Sequence, residues 1–162
     1  MIGTIDSNIW IYAFDRKNPG HQNIRKWLNE NLEKMSLRVN IIVVLEVLHN
    51  LTKDPRVEFE IPFSYVNDIL SLSNIEIIDL KLINFRIIAN NLASLRHLGI
   101  GGRDAIILSV LKEGETIITH DKNLLMNTTY RRIDPYFDPT MIIEVNKKFD
   151  PLIFKENFDF MK

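Results

Sequence analysis

The sequence predicts an α/β fold built on a mainly parallel sheet. Short aliphatic and β-branched segments alternate with stretches of helical periodicity, as in repeated β-α-β units. Two of those short segments run straight into an aspartate, Asp6 and Asp121, and strand ends of this kind form the ligand crevice of open parallel sheets. The chain has 162 residues, 46% of them hydrophobic, with no internal repeat or Gly/Ser linker, which suits one domain of ordinary size.

The elements follow in order. Ile2 to Ile5 is short and partly β-branched and reads as a buried strand ending at Asp6. Ser7 and Asn8 are residue types that cap a helix, expected from Ile9 to Phe14. Pro19 and Gly20 break the chain before a helix from His21 to Lys34, with Ile24, Trp27, Leu28 and Leu32 on one face. Leu37 to Asn40 reads as a strand. Ile41 to Leu51 reads as a helix with a Leu45, Leu48, Leu51 stripe. Pro62 is expected to start a helix reaching Leu72, Ile75 to Ile78 to form a strand, and Lys81 to Leu98 to form a long amphipathic helix. Residues 99–102 read as a loop that places Asp104 at the start of a helix from Arg103 to Lys112. Thr116 to Thr119 is the strand before His120 and Asp121, and Met141 to Val145 is the last strand. Residues 1–148 are thus expected to form the domain, and 149–162 a Phe-rich tail packing on it or on a partner subunit.

Composition narrows the chemistry. The absence of cysteine excludes disulfides, thiolate zinc sites and cysteine nucleophiles, and no two of the four histidines stand at a helical metal-binding spacing. The formal charge of -1 does not impose a basic face. No signal peptide or apolar stretch of about 20 residues is visible, so a cytoplasmic protein without membrane contact is expected.

Two further acids interrupt apolar helical segments: Glu46 within Val43 to Leu48, and Asp104 before Ala105-Ile106-Ile107. Such acids are costly unless they are paired, hydrogen-bonded or bound to metal. Taken singly, each has an ordinary structural role. Asp6 and Asp104 suit helix N-termini, Glu46 an ion pair, and Asp121 a turn. Brought together, they would form an oxygen-rich pocket for Mg²⁺ or Mn²⁺, which relieves carboxylate repulsion and assists phosphodiester hydrolysis. Arg103, next to Asp104, is the best-placed candidate to guide a phosphate. Arg96, His97, Lys122, Arg131 and Arg132 are expected on a solvated face. Strand alternation turns His120 away from Thr119 and Asp121.

These residues resemble the motifs of the PIN-domain ribonucleases. Asp6-Ser7-Asn8 is similar to the family's opening, Asn40 to Val47 to its second motif, Gly102 to Leu108 to its third, and Thr119-His120-Asp121 to its last. Asn40 stands where Ser or Thr is commoner. Order and spacing agree over roughly the first 125 residues, and the VapC-like toxins are the nearest subgroup.

The resemblance implies a three-layer α/β/α sandwich. Asp6, Glu46, Asp104 and Asp121 would hold one or two Mg²⁺ or Mn²⁺ ions and carry out catalysis. Ser7 and Thr119, and less strongly Asn8 and Asn40, would orient the acids. It further implies an endoribonuclease acting on single-stranded or loop RNA, a homodimer, and a cognate antitoxin protein if the chain is a toxin. The alternative is a non-catalytic PIN-like RNA-binding or scaffold protein.

Overall fold

A computed structural model describes residues 2–53, 55, 58, 60–112, 114–127, 130–136 and 142–143. Strand β1, Ile2–Ile5, lies at the centre of the sheet, and the chain turns at Asp6 into helix α1, Ser7–Phe14. Helix α2, His21–Asn31, follows and tightens into a 3₁₀ turn at Leu32–Lys34. Strand β2, Ser36–Asn40, leads into α3, Ile41–Leu51, and α4 spans Glu60–Leu70. Strand β3, Ile75–Ile78, precedes α5, Leu82–His97, and α6, Gly102–Ser109. Strand β4 is Thr116–Ile118, α7 is Lys122–Asn127, β5 is Arg131–Ile133, and β6 is Ile142–Ile143.

The strand order is β3-β2-β1-β4-β5-β6, with five parallel strands and β6 antiparallel to β5. Helical crossovers cover the two faces and give the expected three-layer α/β/α sandwich. Gly3, Thr4 and Ile5 of β1 lie opposite Thr116, Ile117 and Ile118 of β4. On its other side β1 pairs with β2, so the order reverses between β1 and β4. Crevices open at the carboxyl ends of strands at such a reversal. Asp6 and Thr119 lie at those two ends.

The core is aliphatic. Ile5, Ile9, Val39, Val43, Ala105, Ile107, Ile117 and Ile118 are fully buried. In α3 the buried face is Val43, Val44, Val47 and Leu51, whereas Leu45 is exposed. The expected Leu45, Leu48, Leu51 stripe is therefore rotated. Steps of four residues keep one side of a 3.6-residue helix toward the core, and steps of three drift away from it.

Boundaries differ where side chains do something other than expected. Helix α1 starts at Ser7 rather than Ile9, and Asp6 occupies its N-cap position without a side-chain capping bond. Helix α4 begins before Pro62, which the first helical turn tolerates. Helix α6 ends at Ser109. Helix α7 and strand β5 were not expected. Arg132, expected in solvent, is buried at 1% exposure in β5, which lies inside the sheet between β4 and β6. Arg96, His97, Lys122 and Arg131 are exposed as expected. Of the expected last strand, Ile142 and Ile143 are strand. The 149–162 tail lies outside the described residues.

Two glycines are required by their surroundings. Gly99 has φ +72°, with its N–H bonded to the Arg96 carbonyl and the Ile100 N–H to the Leu95 carbonyl. This left-handed stop ends α5 and aims the chain at α6. A Cβ on Gly20 would lie 2.3 Å from the Tyr136 ring, so the turn before α2 and the end of β5 meet only because no side chain intervenes. Among the described residues no helix is long and apolar enough to cross a membrane.

Candidate active site

Asp6 lies at the sheet reversal with only 4% of its surface exposed. Its carboxylate accepts the Thr119 hydroxyl, Oγ1 to Oδ2, at 2.6 Å and also meets Ser7, the first residue of α1. Thr119 Oγ1 also accepts the Asp121 backbone N–H at 3.0 Å and the Asn8 amide at 3.3 Å. Asn8 Oδ1 in turn accepts the His120 backbone N–H at 3.3 Å. Thr119 and Asn8 thus tie the end of β4 to the first turn of α1 and hold Asp6 from one side.

Glu46 approaches from α3. Ser7 Oγ lies 2.9 Å from Glu46 Oε2 and 3.3 Å from Asp6 Oδ1, so one hydroxyl links the two carboxylates. The other Glu46 oxygen is 2.9 Å from Arg103 Nη1. Asp104 reaches back from the first turn of α6 to the Gly101 N–H at 3.2 Å. Asp121 Oδ1 caps α7 by accepting the N–H groups of Asn123 and Leu124 at 2.8 and 3.0 Å. Asn40 caps α3 through the Ile42 N–H at 2.9 Å and, among the described residues, makes no hydrogen bond to the acids. Several ordinary roles are therefore filled: Glu46 pairs with an arginine, Asp104 and Asp121 serve helix starts, and Asn40 is a cap.

The acids nevertheless act on one another. Burial pushes the Asp6 carboxyl up from 3.8 to about 6, and the charges of Asp104 and Glu46 push the same way against the Thr119 and Ser7 hydrogen bonds. Asp104 is also raised, first by burial and then by Asp121 and Glu46, with the Gly101 N–H and Arg103 opposing. Each of the four acids contributes to this mutual repulsion, from four separate elements. Among the described residues no three acidic or histidine side chains stand at metal-ligating spacing. The donor set itself is all oxygen and short of positive charge, which fits a hard divalent cation.

A second cluster borders the acids, and sequence reasoning missed most of it. His120 Nδ1 lies 3.0 Å from Asp134 Oδ2, and its ring stacks on Tyr136 with centroids 3.8 Å apart. Tyr12 meets both rings edge-on, and its hydroxyl is raised first by burial, then by Tyr136, Asp6 and Asp121. Asp134 was legible in principle. Ile133 runs into Asp134 at the end of β5, a third strand end at an aspartate, disguised in the sequence by Arg131 and Arg132.

The profile of the PIN domain matches residues 4–127, which include all four acids. The chain belongs to the PIN-domain family. Solved structures resemble this PIN domain in fold. They include VapBC2 of Rickettsia felis bound to a DNA fragment from its promoter, at 24% identity and TM-score 0.55, covering 77% of this chain and 92% of that one. FitAcB of Neisseria gonorrhoeae matches at 15% identity and TM-score 0.64, covering 85% and 99%. DNA-bound VapBC of Salmonella typhimurium matches at 20% identity and TM-score 0.61, covering 83% and 99%. No curated protein sequence matches.

Proposed function

We propose that this PIN domain is a Mg²⁺- or Mn²⁺-dependent endoribonuclease that hydrolyses phosphodiesters in single-stranded or loop RNA. Asp6, Glu46, Asp104 and Asp121 hold the metal, and Ser7, Thr119 and Asn8 orient them. Asn40 acts indirectly, by capping the helix that carries Glu46. The observation that carries the reading is Asp6, buried at the sheet reversal and linked through the Ser7 hydroxyl to Glu46, with its carboxyl raised to about 6 by burial first and then by the charges of Asp104 and Glu46. Carboxylates are gathered here against their own repulsion.

When bound, a divalent cation supplies charge neutralisation for the phosphate and acidifies a water. The chain's own part is to keep the acids aimed, with hydrogen bonds from Thr119 and Ser7 offsetting part of the burial that disfavours the ionised form of Asp6. Ser7 spaces Asp6 from Glu46, and Thr119 holds Asp6 through its hydroxyl proton.

The fold shared with VapBC and FitAcB complexes supports a toxin of a toxin–antitoxin pair, held silent by a cognate antitoxin and working as a homodimer in the cytoplasm. A monomeric mass by light scattering at micromolar concentration would count against the dimer.

The test is cleavage of a mixed single-stranded RNA pool with Mg²⁺, Mn²⁺ or EDTA, comparing wild type with Asp104→Asn. Metal-dependent cutting that the variant loses is the expected result. A second reading, a non-catalytic RNA-binding or scaffold protein, draws on the structural bonds already made by Glu46, Asp104 and Asp121. RNA binding without cutting under either metal, by folded wild type, would favour it.

A further inference from the structure

Arg103 is the second residue of α6, and its guanidinium crosses to α3, where Nη1 lies 2.9 Å from Glu46 Oε1. The Arg103 side chain is 72% exposed, whereas that of Glu46 is 13% exposed. The remaining Glu46 oxygen is engaged by Ser7, which also borders Asp6. The chain thus lays one of its own cations across the carboxylate cluster from the solvent side. An ion pair with its cation in solvent holds weakly. A compact divalent cation among several carboxylates has the stronger claim on Glu46. A guanidinium released from Glu46 remains beside Asp104, with a planar fork that matches two oxygens of a phosphate.

We infer that Arg103 is an exchanging positioning residue. It occupies Glu46 in the metal-free protein, yields Glu46 to an incoming divalent cation, and then holds a non-bridging oxygen pair of the RNA phosphate at the cluster. The second half rests on the nuclease reading. The first half stands on the contact between Arg103 and Glu46.

The two halves predict effects of opposite sign from one substitution. Arg103→Gln removes the competing cation, so Mn²⁺ titrated into full-length protein and followed by EPR of the free ion should bind about two- to five-fold more tightly. Arg103→Lys should stay nearer wild type. Lys122→Gln, which removes an exposed cation beside Asp121, controls for loss of charge and should change affinity less than Arg103→Gln. In Mn²⁺-supported cleavage of a single-stranded RNA, Arg103→Gln should raise KM about ten-fold, since a charged hydrogen-bond partner is lost. A purely structural ion pair would not move metal affinity and KM in opposite directions.

Equal Mn²⁺ affinity in wild type and Arg103→Gln overturns the exchange and leaves the nuclease reading standing. Tighter Mn²⁺ binding by Arg103→Gln in a protein that cuts no RNA supports the exchange and overturns the nuclease reading. Tighter metal binding with unchanged KM overturns the phosphate half alone.

Discussion

At the scale of single residues, folding alters the ionisation of Asp6 more than that of the other three site acids. Its folded pKa is about 6 against 3.8 for the free group, from burial first and then from Asp104 and Glu46. Below 3.8 the carboxyl is protonated whether or not the chain is folded. Between 3.8 and 6 the folded chain keeps a proton the unfolded chain has lost, so stability falls as pH rises through that window. Above it the whole cost is present, about 2–3 kcal/mol at 1.36 kcal/mol per pKa unit. Asn can still accept the Thr119 hydroxyl. In EDTA, Asp6→Asn should therefore be more stable than wild type by about 1–3 kcal/mol at pH 7.5, with the gain gone near pH 4. Urea denaturation at the two pH values measures this, and an equal gain at both would mean that charge is not its source.

At the scale of elements, β2 and β5 each carry a side chain whose polar atoms are incompletely met among the described residues. Asn40 is fully buried and caps α3 through Oδ1, but its Nδ2 has no partner among the described residues. Asn40→Ala removes the cap and should cost about 1 kcal/mol. Asn40→Ser keeps a capping oxygen and removes the orphan donor, so it should match or exceed wild type in a denaturant melt. A loss from Asn40→Ser as large as from Asn40→Ala would reveal a partner for Nδ2.

In β5, Arg132 is buried with Nε and Nη1 unpartnered among the described residues, and burial lowers its pKa. A buried charge without a counter-ion is destabilising, so Arg132→Met should leave stability unchanged or raise it by up to about 3 kcal/mol. A loss of that size in thermal or urea unfolding would mean that a counter-ion is supplied from outside the described residues.

At the scale of the whole molecule, acids from four elements feel one another's charge, so a cation held among them, as proposed, couples to global stability. Mn²⁺ at a hundred times its Kd should stabilise the fold by about 2.7 kcal/mol, a rise in Tm of roughly 5–10 °C for a chain of this size. Asp104→Asn should lose most of that rise. An undiminished rise in the variant, followed by differential scanning calorimetry, would place the cation elsewhere.

Local physics made much of this protein legible in its sequence. The strand Ile2–Ile5 and the helix Ile41–Leu51 were expected at their observed bounds, because the side-chain period and a capping residue act over a few neighbours. The four acids stood out because an acid interrupting or ending an apolar run is locally anomalous. Other features depend on contacts between residues distant in sequence. Examples are β5 with its buried Arg132, the stack of His120 on Tyr136 against Gly20, the reach of Arg103 to Glu46, and the bond from the Thr119 hydroxyl to Asp6. The α/β pattern and the candidate acids follow from neighbours along the chain. Which acids feel one another and which cation lies across them follow from the folded arrangement, since distance and burial exist only once the sheet has brought the strand ends together.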